Sequence, residues 1–192
     1  MKLLEDRIRK DGTVIGSEIL KVGDFLNQQM DVSLFREMGR EWRRRFEGVP
    51  VTKILTIEAS GIGIACLAAE AFGDCPVVFA KKAKTTNLSG DLYTASVRSF
   101  THNVTNEIMV SKKYLQPEDH VLIVDDFLAN GEALRGLISL VEQSGAALAG
   151  CAVAIEKAFQ PGGSSLRKAG YRIESLARIR SMSEESGVIF EN

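Results

Sequence analysis

Cysteine and histidine are scarce in this 192-residue chain, and charge is nearly balanced. The three cysteines, Cys66, Cys75 and Cys151, are odd in number, scattered, and set in largely apolar contexts. They make no disulfide framework and no metal-ligand spacing, and they read as reduced core thiols of a cytoplasmic protein. The two histidines, His102 and His120, belong to no metal or triad pattern. Twenty-four basic and twenty-five acidic residues leave a net charge of -1, which argues against a nucleic-acid or membrane surface. No apolar run is long enough to span a bilayer; the weakly polar stretch 145–155 is Ala- and Gly-rich and too short. The first residues lack the basic-then-apolar order of a signal peptide. No Walker loop ending in GK[ST] occurs, and no GxGxxG follows a strand, which weakens kinase, NTPase and dehydrogenase readings.

What the chain does contain centres on VLIVDDFLANGEAL, residues 121–134. Four β-favouring apolar residues, 121–124, suit a strand buried on both faces. Asp125 and Asp126 follow at its end. A short loop, 127–131, leads to an amphipathic helix marked by Leu134, Leu137, Ile138 and Val141. A strand, a tight loop and a helix N-terminus aim backbone N–H groups at one spot and favour an anion there. Two carboxylates beside that spot would repel an isolated phosphate. A ligand carrying hydroxyls or a bridging metal next to its phosphate is expected instead, and a ribose 5-phosphate answers that description.

The remaining segments arrange themselves around this junction. Residues 1–10 read as a helix, and 15–27 as an irregular segment with short extended pieces. Its uncharged tip, Asn27-Gln28-Gln29, reads as a surface turn from the residues alone. Residues 31–48 form a helix, capped by Asp31 or Ser33 and closed by Gly48 and Pro50. Leu34, Phe35, Met38, Trp42 and Phe46 make its apolar stripe. Its arginines are interleaved with Glu37, Glu41 and Glu47, which makes a solvated face.

Residues 52–57 read as a strand, 58–63 as a glycine-containing loop and 64–72 as an apolar helix. Gly61 and Gly63 would let backbone amides approach a ligand there, as a second phosphate loop at the same sheet edge. A further buried strand, 76–80, ends in Lys81, Lys82 and Lys84, which either meet solvent or face the phosphates. The hydroxyl-rich stretch 85–103 is long for a plain connection, so it is expected to be a mobile functional loop or a two-stranded excursion. Residues 147–155 read as another buried strand, ending in Glu156, Lys157 and Phe159 before a Pro-Gly-Gly turn. A short helix, 164–168, precedes a strand at 171–176, and 188–190 can add a short edge strand. This alternation of strands and helices implies one α/β domain built on a parallel sheet.

The segment 121–134 resembles the signature of the type I phosphoribosyltransferases: four hydrophobics, two acids, two hydrophobics, then a small loop ending in Gly. It departs from the commonest form, in which Thr-Gly-Gly-Thr would stand at 130–133; here Asn130 can donate in place of one hydroxyl, and Glu132 must point away from the phosphate. Taken with Ile155-Glu156-Lys157 and the segment from Leu20 to Asn27, the loop Ala-Asn-Gly-Glu-Ala resembles the xanthine-using bacterial branch of that family. The likeness extends over essentially the whole chain.

The resemblance implies a type I phosphoribosyltransferase fold, a central parallel sheet flanked by helices, with a hood from about 1–30 and 157–192. It implies transfer of 5-phosphoribosyl from phosphoribosyl pyrophosphate (PRPP) to xanthine in purine salvage. Leu128, Ala129, Asn130, Gly131 and Glu132 would cradle the 5-phosphate, and Asp125 and Asp126 would hold the ribose hydroxyls. Ser60 and Gly61 would belong to the pyrophosphate loop, with Lys81, Lys82 and Lys84 beside it. Tyr93, Ser96, Arg98 and Ser99 would lie in the flexible loop that folds over the substrate. Leu20, Asn27 and Lys157 would read the purine. Mg²⁺, bound mainly through PRPP, is the implied cofactor, and a homodimer the implied assembly. Ala129 stands where hypoxanthine–guanine relatives carry an acid, so no general base is assigned. The alternatives are a relative that prefers another base, or a PRPP-sensing regulator of the purine-repressor type. Such a regulator would need a basic DNA-binding domain that this composition does not offer.

Overall fold

A computed structural model describes residues 1–83, 90–99 and 104–191, with backbone only at Arg98, Ser99, Val104 and Thr105. Six strands form the central sheet in the order β10-β9-β8-β7-β3-β4. They are β3 (Lys53–Ile57), β4 (Val77–Ala80), β7 (His120–Leu128), β8 (Ala147–Lys157), β9 (Ile173–Ser183) and β10 (Gly187–Phe190). All pairings are parallel except β9–β10. The inner strands β7 and β8 are nearly continuous apolar runs because both faces of the sheet are covered.

Period-2 alternation divides those runs between two cores. Ile54, Leu122, Val124, Ala152 and Ala154 face α1 (Lys2–Asp11), α2 (Val32–Arg45) and α3 (Ser60–Ala71). Leu55, Val121, Ile123, Cys151 and Val153 face α4 (Glu132–Ser144) and α5 (Pro161–Lys168). The expected stripe of α2, including Phe46 at its C-terminal end, is buried throughout. Asp31 caps α2 by accepting from the Leu34 amide at 3.0 Å. A small antiparallel pair, β1 (Thr13–Ile15) with β2 (Ile19–Lys21), and the π-helical turn Gly23–Asn27 carry the irregular N-terminal segment. The excursion after β4 is a hairpin, β5 (Leu92–Ser99) with β6 (Val104–Ser111). It packs on α4, where Gly136 leaves room for Val97 and Ile108.

Five local readings are corrected. Strand β7 runs on to Leu128, so the two acids lie within it; parallel pairing of Phe127 with Ile155 and Leu128 with Glu156 extends it past its apolar run. Helix α3 begins at Ser60, and the supposed glycine loop is its first turn. A Cβ at Gly61 would collide with the Thr56 hydroxyl, and one at Gly63 with the Met30 sulfur, so these glycines serve close packing. The Pro-Gly-Gly turn is the start of α5, with Pro161 at the position where its fixed φ suits a helix. Strand β9 runs from Ile173 to Ser183 rather than over 171–176, because pairing with both β8 and β10 lengthens it. Cys66, expected in the core, is exposed.

Candidate active site

The carboxyl ends of β3 and β7 open into a cleft of about 390 Å³. Its floor is the segment from Asp125 to Leu134, and its walls include Ser60, Glu58 and Lys82. Ligand crevices of parallel sheets form at this edge, where each strand hands over to a loop and a helix N-terminus. Asp125 is 4% exposed. Burial, with Asp126 adding to it, holds its carboxyl well above the ordinary aspartate range. Among the described residues no cation forms an ion pair with it; its Oδ1 accepts the Asp126 amide at 3.0 Å. Asp126 in turn accepts the Phe127 amide at 2.9 Å. Nearby, the buried Thr56 hydroxyl has no hydrogen-bond partner among the described residues.

Gly131 closes the loop with φ +85°, a left-handed conformation that favours glycine. A Cβ there would lie 3.1 Å from the Gly162 Cα. The loop rests on the first turn of α5, where the Gly162 amide donates to the Ala129 carbonyl at 3.0 Å. Glu132 does line the cleft, yet its carboxylate is drawn to Arg135 at 3.1 Å.

Lys157 reaches the N-terminal segment, donating from Nζ to the Glu18 carbonyl at 2.5 Å, two residues before Leu20. Burial pulls its pKa down, with Glu18 opposing. The ammonium also stands 5.8 Å from the centroid of Phe127, which itself lines the cleft. Phe127 therefore connects the Lys157 neighbourhood with the acid pair. Asn27 is exposed at the end of the π-helical turn, and Phe159 is exposed as well.

Other expected residues are dispersed. Lys82 borders the cleft, and its amide donates to Glu58 at 2.6 Å. Lys81 bridges β4 to the hairpin through both backbone bonds with Met109 and lines a separate depression. Gly61 is buried under Thr56, and the Lys112 ammonium stands 5.6 Å from the centroid of the Tyr93 ring; neither Gly61 nor Tyr93 lines the cleft. Ser96 lies on exposed backbone of β5. Lys84 lies outside the described residues, as do residues 85–89 and 100–103 of the expected flexible loop and the Arg98 and Ser99 side chains. The hairpin contributes Val97, Asn106 and Ile108 to the cleft instead. No local pattern marks those three, since their place depends on how the hairpin packs on α4.

Cys151 is no nucleophile, because burial pushes its thiol up to about 12. Among the described residues no group of three or more His, Cys, Asp or Glu side chains is arranged to hold a metal. No described helix is long and apolar enough to cross a membrane.

Residues 34–170 match the phosphoribosyl transferase domain. Solved adenine phosphoribosyltransferases share the fold. That of Giardia lamblia, complexed with 9-deazaadenine, superposes with a TM-score of 0.76 at 24% identity, covering 91% of this chain and 97% of that one. The Saccharomyces cerevisiae enzyme gives 0.74 at 21%, covering 92% and 99%. The chain belongs to the phosphoribosyltransferase family. Within it, the chain groups with relatives named xanthine phosphoribosyltransferase. That of Bifidobacterium longum subsp. infantis is 57% identical over 189 residues, 98% of each chain. That of Ruminiclostridium cellulolyticum is 58% identical over 182 residues, 95% of each.

Proposed function

We propose that this protein transfers the 5-phosphoribosyl group of PRPP to xanthine, giving xanthosine 5′-monophosphate and pyrophosphate in purine salvage. The observation that carries the reading is the juxtaposition of an acid pair, an amide loop and, across Phe127, a half-buried lysine. The names of the relatives near 57% identity agree with it.

In the reaction the bond from C1 to a pyrophosphate oxygen breaks, and a bond to a purine ring nitrogen forms. Charge develops on the sugar as an oxocarbenium ion. The protein's part is positioning and electrostatics rather than covalent chemistry. Leu128 to Glu132 hold the 5-phosphate through backbone amides, and Asp125 and Asp126 hold the ribose hydroxyls. Ser60, Lys82 and the N-terminus of α3 face the pyrophosphate. Residues 1–30, with the adjoining part of 157–192, form the hood that receives the base, while β9 and β10 of that range also complete the central sheet. There Lys157 donates to a xanthine carbonyl, Asn27 pairs with a neighbouring edge, and the backbone at Leu20 completes the set. An ammonium cannot accept from adenine's amino group, so Lys157 selects an oxopurine.

Among the described residues, a buried carboxylate with no ion-paired cation, beside a second carboxylate and a hydroxyl with no hydrogen-bond partner, is a donor set that fits Mg²⁺ carried in by PRPP. When bound, that ion neutralises pyrophosphate charge. The active species is a homodimer, and sedimentation at micromolar concentration tests this: a monomer would contradict it. Incubation with xanthine, PRPP and Mg²⁺, followed by chromatography, should show equal amounts of xanthosine 5′-monophosphate and pyrophosphate. Absence of the nucleotide would overturn the reading.

A further inference from the structure

An acid in the middle of a phosphate cradle needs a physical reason, and Arg135 supplies it. Its guanidinium makes three bonds from the first turn of α4. Nη1 donates to the Asn130 carbonyl at 2.8 Å and to Glu132 Oε1 at 3.1 Å. Nη2 donates to the Ser165 hydroxyl of α5 at 2.6 Å. One planar fork thus spans the loop, the acid and the neighbouring helix, a geometry a lysine cannot copy.

The consequences for the cradle follow from peptide geometry. In a trans peptide the carbonyl and the following N–H point in opposite directions. The Ala129 carbonyl is held by the Gly162 amide, and the Asn130 carbonyl by Arg135. Both carbonyls are therefore committed to bonds outside the cradle. The N–H groups of Asn130 and Gly131 are turned the other way, as a pair able to receive one anion. Without Arg135 the Asn130–Gly131 peptide loses the bond that sets its orientation. The Glu132 carboxylate, which lines the cleft, also loses the positive charge that draws it aside.

The geometry points to Arg135 as a positioning residue for PRPP: it orients the Asn130–Gly131 peptide and neutralises Glu132 so that this loop accepts a phosphate. The inference rests on the assignment of this loop to the 5-phosphate. Arg135 itself need not touch substrate. Its side chain is 42% exposed, so its pairing with Glu132 contributes little to stability. Loss of the arginine is therefore expected to be felt in ligand affinity and not in the melting temperature.

Calorimetric titration of PRPP with Mg²⁺ into the parent, Arg135→Ala and the double variant Arg135→Ala/Glu132→Gln tests this. Arg135→Ala should weaken PRPP binding about 10- to 100-fold, the effect of losing a charge-assisted bond together with charge compensation. Its KM for xanthine at saturating PRPP should stay within about two-fold, since the base site is untouched. The double variant should recover roughly three-fold or more of the lost affinity, because the repelling charge is gone. Arg135→Ala binding within about two-fold of the parent would overturn the inference; failure of Glu132→Gln to recover affinity would overturn the charge compensation. A parent that does not bind PRPP would instead remove the functional reading beneath it. Should Arg135→Ala not fold, Arg135→Lys decides. It keeps the charge but not the fork, so a loss of about 3- to 10-fold is expected and none would refute the role.

Discussion

Replacing Asp125 with asparagine should raise stability and lower activity in the same variant. The carboxylate is 4% exposed, borders Asp126, and has no ion-pair partner among the described residues. Its ionised form is thus opposed by burial first and by its neighbour second. Asparagine keeps the shape and still accepts the Asp126 amide through Oδ1 while removing the charge. Relief of that buried charge is worth about 1–2 kcal/mol. For a chain of this size, roughly 2–4 °C per kcal/mol places the rise in Tm at about 2–8 °C.

The pH dependence carries a definite sign. A carboxyl raised in the folded state binds more protons there than in the unfolded chain. Its contribution is fully present below the ordinary aspartate value of 3.8 and is lost as pH rises through the raised value. The parent should therefore gain relative to Asp125→Asn as pH falls through that window, and the difference should widen toward neutrality. On the proposed ribose-binding role of Asp125, loss of its charged acceptor should cost roughly 10- to 100-fold in kcat/KM. Thermal melts across pH, with steady-state kinetics on the same samples, give both numbers. An Asp125→Asn protein that melts lower than the parent at neutral pH, or that keeps parental kcat/KM, would refute the reasoning.

Three further substitutions probe the base site, the loop and a buried ion pair beneath them. Lys157→Ala should lose about 10- to 100-fold in kcat/KM for xanthine, with calorimetric PRPP affinity retained. Gly131→Val should abolish PRPP binding while circular dichroism stays native, because φ is +85° there and its Cβ would press on Gly162. Glu156→Gln should cost roughly 3 kcal/mol in denaturant unfolding. The buried Glu156 carboxylate accepts two Arg167 bonds at 2.7 Å and the Ser175 hydroxyl at 2.5 Å. Burial alone would raise its pKa, but these bonds lower it. Its stabilisation is present above the ordinary glutamate value of 4.5 and fades as pH falls through the depressed one, opposite in sign to Asp125.

The parts of the site legible in the sequence were those encoded within a dozen residues. The run 121–131 announces a buried strand, an acid pair and a glycine loop because burial, charge and positive φ are local demands. The stripe of α2 was legible for the same reason, as period 3.6 is a local property. What stayed hidden depended on packing between distant segments. Gly61, Gly63, Gly162 and Gly163 looked like loop residues but let helices lie close on Thr56, Met30, the loop 129–131 and Glu156. Asn106 reaches the cleft only because Gly136 seats the hairpin on α4. Lys157 was singled out by its place past a core strand, whereas its bond to Glu18 requires the N-terminal pair β1–β2 to sit beside it. Arg135 carried no signal at all, since an arginine in a helix's first turn is usually solvated.

The central claim, that this cleft joins ribose 5-phosphate to an oxopurine and xanthine above others, is tested most directly by a competition assay. Equimolar xanthine, hypoxanthine, guanine and adenine are offered with PRPP and Mg²⁺, and the nucleotides formed are separated and counted. Xanthosine 5′-monophosphate should dominate, and adenosine 5′-monophosphate should be lower by about 10- to 100-fold or more, the penalty for leaving Lys157 unpaired. A mixture led by any other nucleotide, or no nucleotide at all, would contradict it.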